Sequence, residues 1–411
     1  MSKILIVSYY FPPFNGPGAQ HPSWFHRYLG EQGFDTTAIT SAVYYNPGAV
    51  PVALPEKTQN VLHLPESGWA RSLCPRLYKA EMQVQVRMGY WEPGFVWGKM
   101  FAIPAAKRLL ERDQFDAIIS VSPTVTSHWI ALQLKRRFPK LKWIADFQDP
   151  FLGNPFHKKP SPKAQQFERD VFAEADVLSA NTDTVLEMWS NRYPEYAQKM
   201  MVTWGGYDPS ETVEAGPLSS ETPVLSHVGA LYGARVPTAL LASVDRLATK
   251  GLLKPRDLEL EFVGDLDFGP VAELAQRLKQ GGWLKLQPTY VPRAEALQIA
   301  GRAHYSLLLD VTLGNNILQV PAKLFDQVRI GRPILAFTPE GSPAGRILEG
   351  SGTPHFRLKP DAAPELVDRA VLGLLKTSPE PQAAKPWFEQ NFDARYLAAG
   401  LGARIATKQS P

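Results

Sequence analysis

Residues 3–29 of the chain read KILIVSYYFPPFNGPGAQHPSWFHRYL, and this stretch indicates the class of fold. Residues 4–9 are almost continuously apolar, which predicts a strand buried on both faces of a sheet. A loop of prolines and glycines follows, in which Gly16 and Gly18 allow the backbone to approach a ligand closely. Residues 23–31 then show an apolar stripe of helical period. The stretch therefore predicts a strand, a ligand-binding loop and a helix.

This loop differs from a dinucleotide-binding fingerprint. His21 stands where the third glycine of the fingerprint would be, and no acidic residue ends the second predicted strand, 36–40. Backbone amides at the start of the following helix favour an anion or a sugar hydroxyl as the ligand. A simple tight turn is the alternative interpretation of the loop.

Buried strands and amphipathic helices alternate along the whole chain, which predicts parallel sheets of the βαβ kind. The pattern restarts near residue 224, after the polar stretch YDPSETVEAGPLSSETP (207–223). We expect an α/β protein with two Rossmann-like domains facing each other across a cleft, divided into 1–205 and 206–385. The predicted strands are 4–9, 36–40, 61–64, 117–121, 142–147, 177–180, 201–204, 224–228, 259–263, 285–288, 305–309, 333–337 and 355–358. The predicted helices are 23–31, 104–112, 125–138, 162–174, 237–249, 270–279, 293–301, 322–330 and 363–375.

Length and composition agree with a two-domain globular protein, because 411 residues exceed one compact core. The net charge is only +4, and no nucleic-acid-binding motif occurs, so a nucleic acid is a poor candidate partner. Cys74 is the single cysteine, which excludes an internal disulfide and a thiolate metal cluster. The start, Met1-Ser2-Lys3, lacks a signal-peptide layout, and no apolar run reaches the ~20 residues of a membrane span. These features predict a cytoplasmic protein, and no metal-ligand spacing is visible.

Five strings, taken in order, resemble the retaining glycosyltransferases of family 4. They are ILIVSYYFPPFNGPGAQ (4–20), WIADFQDPF (143–151), HVGALYGARVP (227–237), FVGD (262–265) and VPAKLFDQVRIGRPILAF (320–337). The resemblance covers nearly the whole chain and implies the GT-B fold, with the acceptor on the first domain and a nucleotide-sugar donor mainly on the second. By the same resemblance, Gly16 and Gly18 belong to a loop that approaches the donor sugar and its diphosphate, and 386–411 form a helix that crosses back to the first domain.

The most specific string contains two candidate donor-binding residues. Lys323 and Asp326 are three residues apart, so they share one face of a predicted helix. The resemblance implies that Asp326 accepts the ribose hydroxyls and that Lys323 neutralises the pyrophosphate; an exposed ion pair within the helix is the alternative. The family usually has Glu at the position of Asp326 and often a second Glu at the position of Leu318. Sugar contacts would then come from backbone amides or from Asn315 and Asn316.

Further donor contacts are implied in the second half of the chain. Gly229 ends a predicted strand, and Arg235 matches the second member of a basic pair that grips the diphosphate, whereas the first position is Ala230. Arginine suits phosphate because its planar guanidinium donates hydrogen bonds in pairs. A surface arginine without a ligand is the alternative. Tyr290 and Val291 resemble the segment whose backbone meets the nucleobase.

Candidate catalytic residues lie in the first half, around WIADFQDPF. Asp146 and Gln148 share one face of a predicted strand, and Asp149 follows at its end. Family members often have a histidine at the position of Gln148; a glutamine can position a sugar but cannot relay a proton. We expect Asp149 or Asp146 to act as the base for the acceptor, with the capping of the next turn as the alternative role for one of them. His128, just inside the helix after the fourth predicted strand, and His21 are further candidates facing the cleft.

The segment Trp69–Arg112 combines tryptophans with basic residues. It is interpreted either as an insertion with an ordinary core face or as an element that docks on a membrane surface and on the acceptor.

Together these features predict a glycosyltransferase that moves a sugar from a nucleotide-diphosphate sugar to a lipid-linked or oligosaccharide acceptor. The resemblance implies retention of configuration, no metal or other cofactor, and a role in bacterial surface or exported polysaccharide synthesis. The protein is then expected in the cytoplasm or at the cytoplasmic face of the inner membrane. A nucleotide-sugar epimerase or phosphorylase of the same fold, and a non-catalytic nucleotide-sugar-binding partner, are the alternatives.

Overall fold

The computed structural model describes residues 1–14, 16–42, 60–65, 94–154, 161–231, 235–310 and 317–407. The chain divides into two compact units. The first unit comprises Met1–Asp208 and Asp393–Pro411, and the second comprises Pro209–Phe392. The divisions predicted from the sequence, after residues 205 and 385, lie a few residues before these points.

A parallel sheet forms the centre of the first unit, with its described strands in the order β3-β2-β1-β4-β5-β6-β7. The strands are β1 Lys3–Ser8, β2 Asp35–Ser41, β3 Val61–Leu64, β4 Ala117–Val121, β5 Lys142–Phe147, β6 Val177–Ala180 and β7 Met200–Val202. The strand β1 pairs in parallel with both neighbours, since Ile4 lies opposite Thr36 on β2 and Ala117 on β4. Strands paired on both edges and covered on both faces must be apolar, as β1 and β4 are.

Helices connect these strands: α1 Gln20–Glu31, α2 Ile103–Arg112, α3 Thr126–Arg137, α4 Pro162–Glu174 and α5 Asp183–Arg192. Two of them begin at hydroxyl caps, because Ser161 accepts a hydrogen bond from the amide of Ala164 and Thr182 accepts one from the amide of Val185. A short helical turn and a π-helical segment, Gly98–Ala102, lead into α2.

The second unit has its own parallel sheet, in the order β10-β9-β8-β11-β12-β13. Its strands are β8 Val224–Val228, β9 Glu259–Val263, β10 Leu284–Gln287, β11 Tyr305–Leu309, β12 Ile334–Phe337 and β13 His355–Leu358. Its helices are α6 Thr238–Thr249, α7 Ala272–Gln280, α8 Arg293–Arg302, α9 Lys323–Ile330, α10 Pro343–Ser351, α11 Pro364–Leu374 and α12 Pro386–Phe392. One apolar core joins α6 and α11 to this sheet, with Leu240, Phe262, Leu307 and Val371 fully or almost fully buried.

After α12 the chain returns to the first unit as α13 Ala394–Ala406. The amide of Ala394 donates to the carbonyl of Tyr207, and Asp393 caps the helix. Leu401 and Ile405 of α13 join the same core as Ile4 of β1 and residues of α1. The core of the first unit is therefore built from both ends of the described chain.

These two sheets confirm the prediction of two Rossmann-like units. Small differences occur at element ends: α1 begins at Gln20 rather than at residue 23, because the 3₁₀ turn Pro17–Ala19 leads directly into it. Strand β7 is Met200–Val202 rather than 201–204. Within the described residues, no helix is long and apolar enough to cross a membrane. Asn315, Asn316 and residues 69–93 of the predicted docking segment lie outside the described residues.

Candidate functional site

The strand orders mark one ligand-binding edge in each unit. In the first unit the chain proceeds from β1 to β2 on one side and returns to β4 on the other; β8 stands in the same relation to β9 and β11 in the second unit. In open parallel sheets of this kind, a crevice opens beyond the carboxyl ends of the central strands. Ligands are therefore expected at the end of β1 and β4 and at the end of β8 and β11.

At the edge of the second unit, the ammonium of Lys323 contacts the imidazole of His227. The Nζ of Lys323 is 2.9 Å from Nε2 of His227, and Nδ1 of His227 is 3.3 Å from the carbonyl oxygen of Leu307. Nδ1 therefore donates to the carbonyl, and Nε2 accepts from the ammonium. Burial, followed by the charge of Lys323, lowers the pKa of His227 well below its ordinary 6.5. The imidazole consequently stays neutral and remains an acceptor at neutral pH.

Lys323 is the first residue of α9, and its charge responds to its surroundings. Burial, followed by the charge of Arg235, lowers the pKa of Lys323 to about 7. An anion nearby would favour the charged form and raise this pKa again. The structure thus brings Lys323 and Arg235, both predicted from the sequence, into electrostatic contact at one edge.

Gly229 brings the backbone close to this ammonium, and Gly264 packs against Gly229. Gly229, directly after β8, has φ 128°, and a Cβ at this position would lie 2.8 Å from Nζ of Lys323. Gly264, directly after β9, has φ 137°, and a Cβ there would lie 2.7 Å from the carbonyl oxygen of Gly229. Both positions need glycine for conformation and for space, and at Gly229 the missing side chain leaves room for the Lys323 ammonium.

A pocket at the start of α6 adjoins Arg235. Its lining includes Arg235, Thr238, Leu309, Asp310 and Phe337. Pro237, which precedes α6, has no side-chain oxygen that could cap the helix amides. A helix start of this kind, combined with a guanidinium, suits an anionic group. The pocket therefore offers phosphate-binding chemistry at the carboxyl end of β11.

Asp310 in this pocket was not predicted from the sequence. It is 4% exposed, and one of its carboxylate oxygens accepts a 2.6 Å hydrogen bond from the hydroxyl of Ser342 at the start of α10. His227 was also missed, although a histidine within an otherwise apolar strand (VLSHV) is a signal that could have been read.

The predicted ribose ligand Asp326 is already paired in this structure. Arg293, the first residue of α8, donates to both carboxylate oxygens of Asp326, at 3.1 and 3.0 Å, and also binds Glu211. Burial raises the pKa of Asp326, and the charge of Arg293 acts against this shift. Burial lowers the pKa of Arg293, but the hydrogen bond to Glu211 and the charge of Asp326 outweigh this effect, so the pKa is raised. A ribose at Asp326 would therefore share the carboxylate with Arg293. The predicted pair Lys323–Asp326 does not form an ion pair; each side chain has a different partner.

Tyr290 and Val291 lie in the connection from β10 to α8. Tyr290 is 48% exposed, and Val291 is half-buried. Arg293 follows them within two residues, so the predicted nucleobase segment is adjacent to the carboxylate predicted for the ribose.

At the edge of the first unit, Asp146 holds His21. Asp146 is 1% exposed, and its carboxylate lies 3.1 Å from Nδ1 of His21 and accepts a 2.6 Å hydrogen bond from the hydroxyl of Ser179. Trp24 and Phe25 of α1 flank the imidazole, each with its ring centre 5.5 Å away. The cost of burying the carboxylate is thus offset by two hydrogen bonds, and the imidazole has a fixed orientation.

Gln148 joins the strand end to the opening loop. Its backbone amide donates to the hydroxyl of Ser122 after β4, and its backbone carbonyl accepts from the side chain of Asn181 after β6. Its side-chain amide donates to the carbonyl oxygen of Gly18 at 3.4 Å. Asp149 is half-buried in the turn that follows. The structure therefore brings Gln148 and Gly18 together, as expected for residues at one edge.

The two glycines of the opening loop have different neighbours. A Cβ at Gly18 would lie 3.0 Å from the ring of Pro123, which follows β4. A Cβ at Gly16 would lie 2.5 Å from the ring of Phe14 in the same loop. Only Gly18 therefore lies against the β4 end of this edge.

The turn after β5 is anchored by an ion pair between the buried Glu168 and the partly exposed Arg192, which the sequence did not reveal. The amide of Leu152 donates to Glu168 at 2.9 Å, and the carbonyl of Leu152 accepts from Arg192 at 3.0 Å. Glu168 and Arg192 are themselves 3.1 Å apart. The backbone amide and carbonyl of Leu152 are thus fixed by Glu168 and Arg192. These contacts hold the turn that contains Asp149.

His128 is placed differently from the prediction. It is 0% exposed, with Nδ1 2.8 Å from the hydroxyl of Ser120 and its ring against Phe147. Burial lowers the pKa of His128 to about 3, so the imidazole is neutral. The prediction relied on its position after β4, but the first turn of α3 directs this side chain into the core, where a substrate cannot reach it.

No family model matches the chain, and no curated protein matches it. Solved structures do resemble it. Sucrose-phosphate synthase from Thermosynechococcus elongatus has TM-score 0.61 and 12% identity, covering 98% of each chain. The lipopolysaccharide outer core galactosyltransferase WaaB, in its apo form, has TM-score 0.61 and 15% identity over 98% of this chain and 99% of that one. HepE from Anabaena, solved with UDP-glucose, has TM-score 0.58 and 14% identity, covering 99% of this chain and 100% of that one. At these identities the likeness shows the GT-B fold.

Proposed function

We propose that this protein is a glycosyltransferase that moves a sugar from a nucleotide-diphosphate sugar to a lipid-linked or glycan acceptor. Retention of configuration is part of the proposal, on the basis of the sequence resemblance to family 4. Synthesis of a bacterial surface or exported polysaccharide is the role that suits such an acceptor. A lipid-linked acceptor would bring the protein from the cytoplasm to the inner membrane surface.

The observation that carries the proposal is the cation pair at the β8 edge. Burial and the charge of Arg235 lower the pKa of Lys323 to about 7, so two positively charged side chains lie near each other at this edge. Gly229 leaves the space beside the Lys323 ammonium free of a side chain. The negative charge of a nucleoside diphosphate would favour the charged form of Lys323 beside Arg235.

The same groups suit the chemistry of glycosyl transfer. When the bond between the sugar C1 and the diphosphate breaks, negative charge develops on the leaving diphosphate, and fixed donors at that point stabilise the transition state. Lys323, Arg235 and the amides at the start of α6 are such donors. In this proposal they supply the positive charge without a bound metal ion. Within the described residues, no cluster of three or more His, Cys, Asp or Glu side chains could hold a metal ion.

HepE, of the same fold, was solved with UDP-glucose, and this makes UDP-sugars the first donors to test. We would measure binding of UDP-, GDP- and dTDP-sugars by calorimetry and release of nucleoside diphosphate by coupled assay. Replacing Lys323 by Met should weaken the best donor by about 10- to 100-fold, as expected for a charged hydrogen bond of about 1.5–3 kcal/mol. Unchanged binding in this variant would contradict the proposal.

A second variant separates the nucleoside from the diphosphate. Asp326→Asn should weaken a nucleotide sugar by about tenfold if the carboxylate accepts ribose hydroxyls, but should leave inorganic pyrophosphate binding unchanged. Equal loss for both ligands would show that Asp326 only supports Arg293.

The solved structures of this fold also include UDP-GlcNAc 2-epimerase from Methanocaldococcus jannaschii, with TM-score 0.54 and 11% identity, covering 99% of this chain and 100% of that chain. An epimerase would return a nucleotide sugar with inverted configuration at the sugar C2. It would transfer no sugar to an acceptor and would leave no free nucleoside diphosphate as product. Donor binding without turnover would instead indicate a non-catalytic partner. Product analysis by NMR distinguishes these outcomes and also reports the anomeric configuration.

A further inference from the structure

The groups of the second unit that suit a nucleotide sugar follow one another along the carboxyl edge of its sheet. Tyr290, in the predicted nucleobase segment, comes after β10, at one end of the strand order β10-β9-β8-β11-β12-β13. Lys323 lies against Gly229, directly after β8. Asp310 follows β11, and Phe337 ends β12. A donor with its base near β10 and its diphosphate near β8 would therefore have its sugar near β11 and β12.

The length of this edge agrees with such a placement. Neighbouring strands of a sheet are about 4.8 Å apart, so the four spacings from β10 to β12 span about 19 Å. This is comparable with the length of an extended nucleotide sugar. The sugar is then expected one or two strand spacings beyond the Lys323 ammonium.

The pocket beyond β11 lies at this place and can hold a sugar ring. It contains about 490 Å³ of empty space, its open mouth included, which is within the range of about 300–1,000 Å³ for small-molecule pockets. Arg235 belongs both to the lining and to the electrostatic surroundings of Lys323, so the pocket adjoins the expected diphosphate position. Leu309 and Phe337 contribute apolar surface, which suits the C–H face of a sugar ring.

Asp310 gives this pocket a buried carboxylate of fixed orientation. It is 4% exposed, and its Oδ2 accepts a 2.6 Å hydrogen bond from the hydroxyl of Ser342. The Ser342 oxygen in turn accepts from the amide of Ala344 in the first turn of α10, so the hydroxyl proton is directed at Asp310. A carboxylate has about four lone-pair sites and donates nothing, so further partners of Asp310 must be donors, such as sugar hydroxyls.

We infer that this pocket is the subsite for the sugar of the donor, and that Asp310 is a specificity-determining residue that accepts a hydrogen bond from a hydroxyl of a neutral sugar. The inference rests on the proposed function. The glutamate that relatives often have at the position of Leu318 is missing here, and Asp310 supplies a carboxylate from the end of β11 instead. An acidic sugar would bring a further negative charge to a carboxylate that lies close to the expected diphosphate, so it is disfavoured.

The test compares a nucleotide sugar with its own nucleoside diphosphate. The ratio of their two Kd values, measured by calorimetry at one fixed pH, isolates the sugar contacts because the base and diphosphate contacts are common to both ligands. UDP, GDP and dTDP are each paired with UDP-glucose, UDP-galactose, UDP-N-acetylglucosamine, GDP-mannose or dTDP-glucose. In Asp310→Asn the ratio for the best sugar should rise by about tenfold or more, as expected for the loss of a hydrogen bond to a charged group. A rise of less than about threefold would overturn the inference.

Asp368 provides a matched control in the same unit. It is also buried and accepts a 2.6 Å hydrogen bond from the hydroxyl of Ser243, but it joins α11 to α6 rather than lining the pocket. Asp368→Asn should keep the ratio within about twofold of the wild type. An equal rise in both variants would mean that the effect is a general loosening of the unit, and this would overturn the assignment.

A second variant tests the pocket without removing a buried group. Thr238 is exposed and lines the pocket at the start of α6, so Thr238→Phe should fold and should narrow the pocket. The ratio should again rise by about tenfold or more. An unchanged ratio in this variant would place the sugar elsewhere and would overturn the inference, also where Asp310→Asn does not fold.

The class of sugar is tested on the wild type. The best neutral sugar should bind about tenfold or more tightly than the uronate of the same base, for example UDP-glucose against UDP-glucuronate, and Asp310→Asn should reduce this difference. Equal binding of the two by the wild type would overturn the neutral class. If the wild type binds neither the diphosphates nor the nucleotide sugars, the proposed function itself fails and the subsite falls with it. Donor binding and turnover with a ratio that neither Asp310→Asn nor Thr238→Phe changes refutes the sugar subsite alone.

Discussion

The pH dependence of donor binding should report the charge of Lys323. With a pKa of about 7 without ligand, Lys323 is about 90% protonated at pH 6 and about 10% protonated at pH 8. A diphosphate favours the charged form, so each mole of donor bound at pH 8 must bring a proton with it. The apparent Kd for a nucleotide sugar should therefore rise, meaning weaker binding, by about tenfold from pH 6 to pH 8.

The choice of ligand matters in this experiment. A free nucleoside diphosphate has a terminal phosphate that titrates near pH 6 and would gain charge over the same range, which opposes the effect. A nucleotide sugar such as UDP-glucose lacks this ionisation. Isothermal titration calorimetry in two buffers of different ionisation enthalpy would measure both the Kd and the number of protons taken up.

A pair of variants isolates the residue responsible. Lys323→Met should bind weakly at every pH and show no proton uptake. Lys285→Met is the matched control, because Lys285 belongs to the same unit but its side chain is 58% exposed and pairs with Glu261 on the sheet. This control should keep the wild-type slope. A tenfold slope that persists in Lys323→Met, or binding that tightens as the pH rises, would refute the reasoning.

Three other substitutions test neighbouring parts of the structure. Gly264→Ala should lower the thermal unfolding midpoint of the second unit by several degrees, because its Cβ would lie 2.7 Å from the carbonyl of Gly229; a neutral result in calorimetry would contradict the close approach. The pKa of His128 is lowered to about 3, so the unfolded state binds one more proton than the folded state between about pH 3 and 6.5. The free energy of unfolding should therefore fall as the pH drops through this window. In His128→Gln this fall, measured by thermal unfolding, should be smaller. Arg293→Met leaves the carboxylates of Asp326 and Glu211 without their shared partner and should cost about 1–2 kcal/mol in urea unfolding; an unchanged midpoint would mean that this network contributes no stability.

Local patterns were sufficient to predict the strands and most helices. Strand β1 is buried on both faces because it is central in a covered parallel sheet, and its apolar run shows this directly in the sequence. Lys323 was predicted as a donor-binding residue from the specific string around it, and that role stays a prediction. What the sequence could not show were partners far apart along the chain. His21 and Asp146 are 125 residues apart, and no spacing rule relates them.

Long-range contacts also affect two other predicted site residues. The carboxylate of Asp326 is hydrogen-bonded to Arg293, 33 residues earlier, and the motif around Asp326 gives no sign of this partner. His128 was predicted at the edge because it follows a strand, but the direction of a side chain in the first helical turn depends on the packing against Phe147. Element type follows from local periodicity, whereas the roles of single side chains depend on tertiary contacts.

The return of α13 to the first unit has a consequence for biosynthesis. Residues 1–208 leave the ribosome before Asp393 and α13 are synthesised. Until α13 is available, part of one apolar face of the first sheet is uncovered, whereas the second unit can already fold. A chain stopped before Asp393 would keep that face exposed for the lifetime of the molecule and would be a target for chaperones and proteases. Isolated residues 209–392 should then be recoverable as a folded fragment, whereas residues 1–208 should need α13 supplied through a linker.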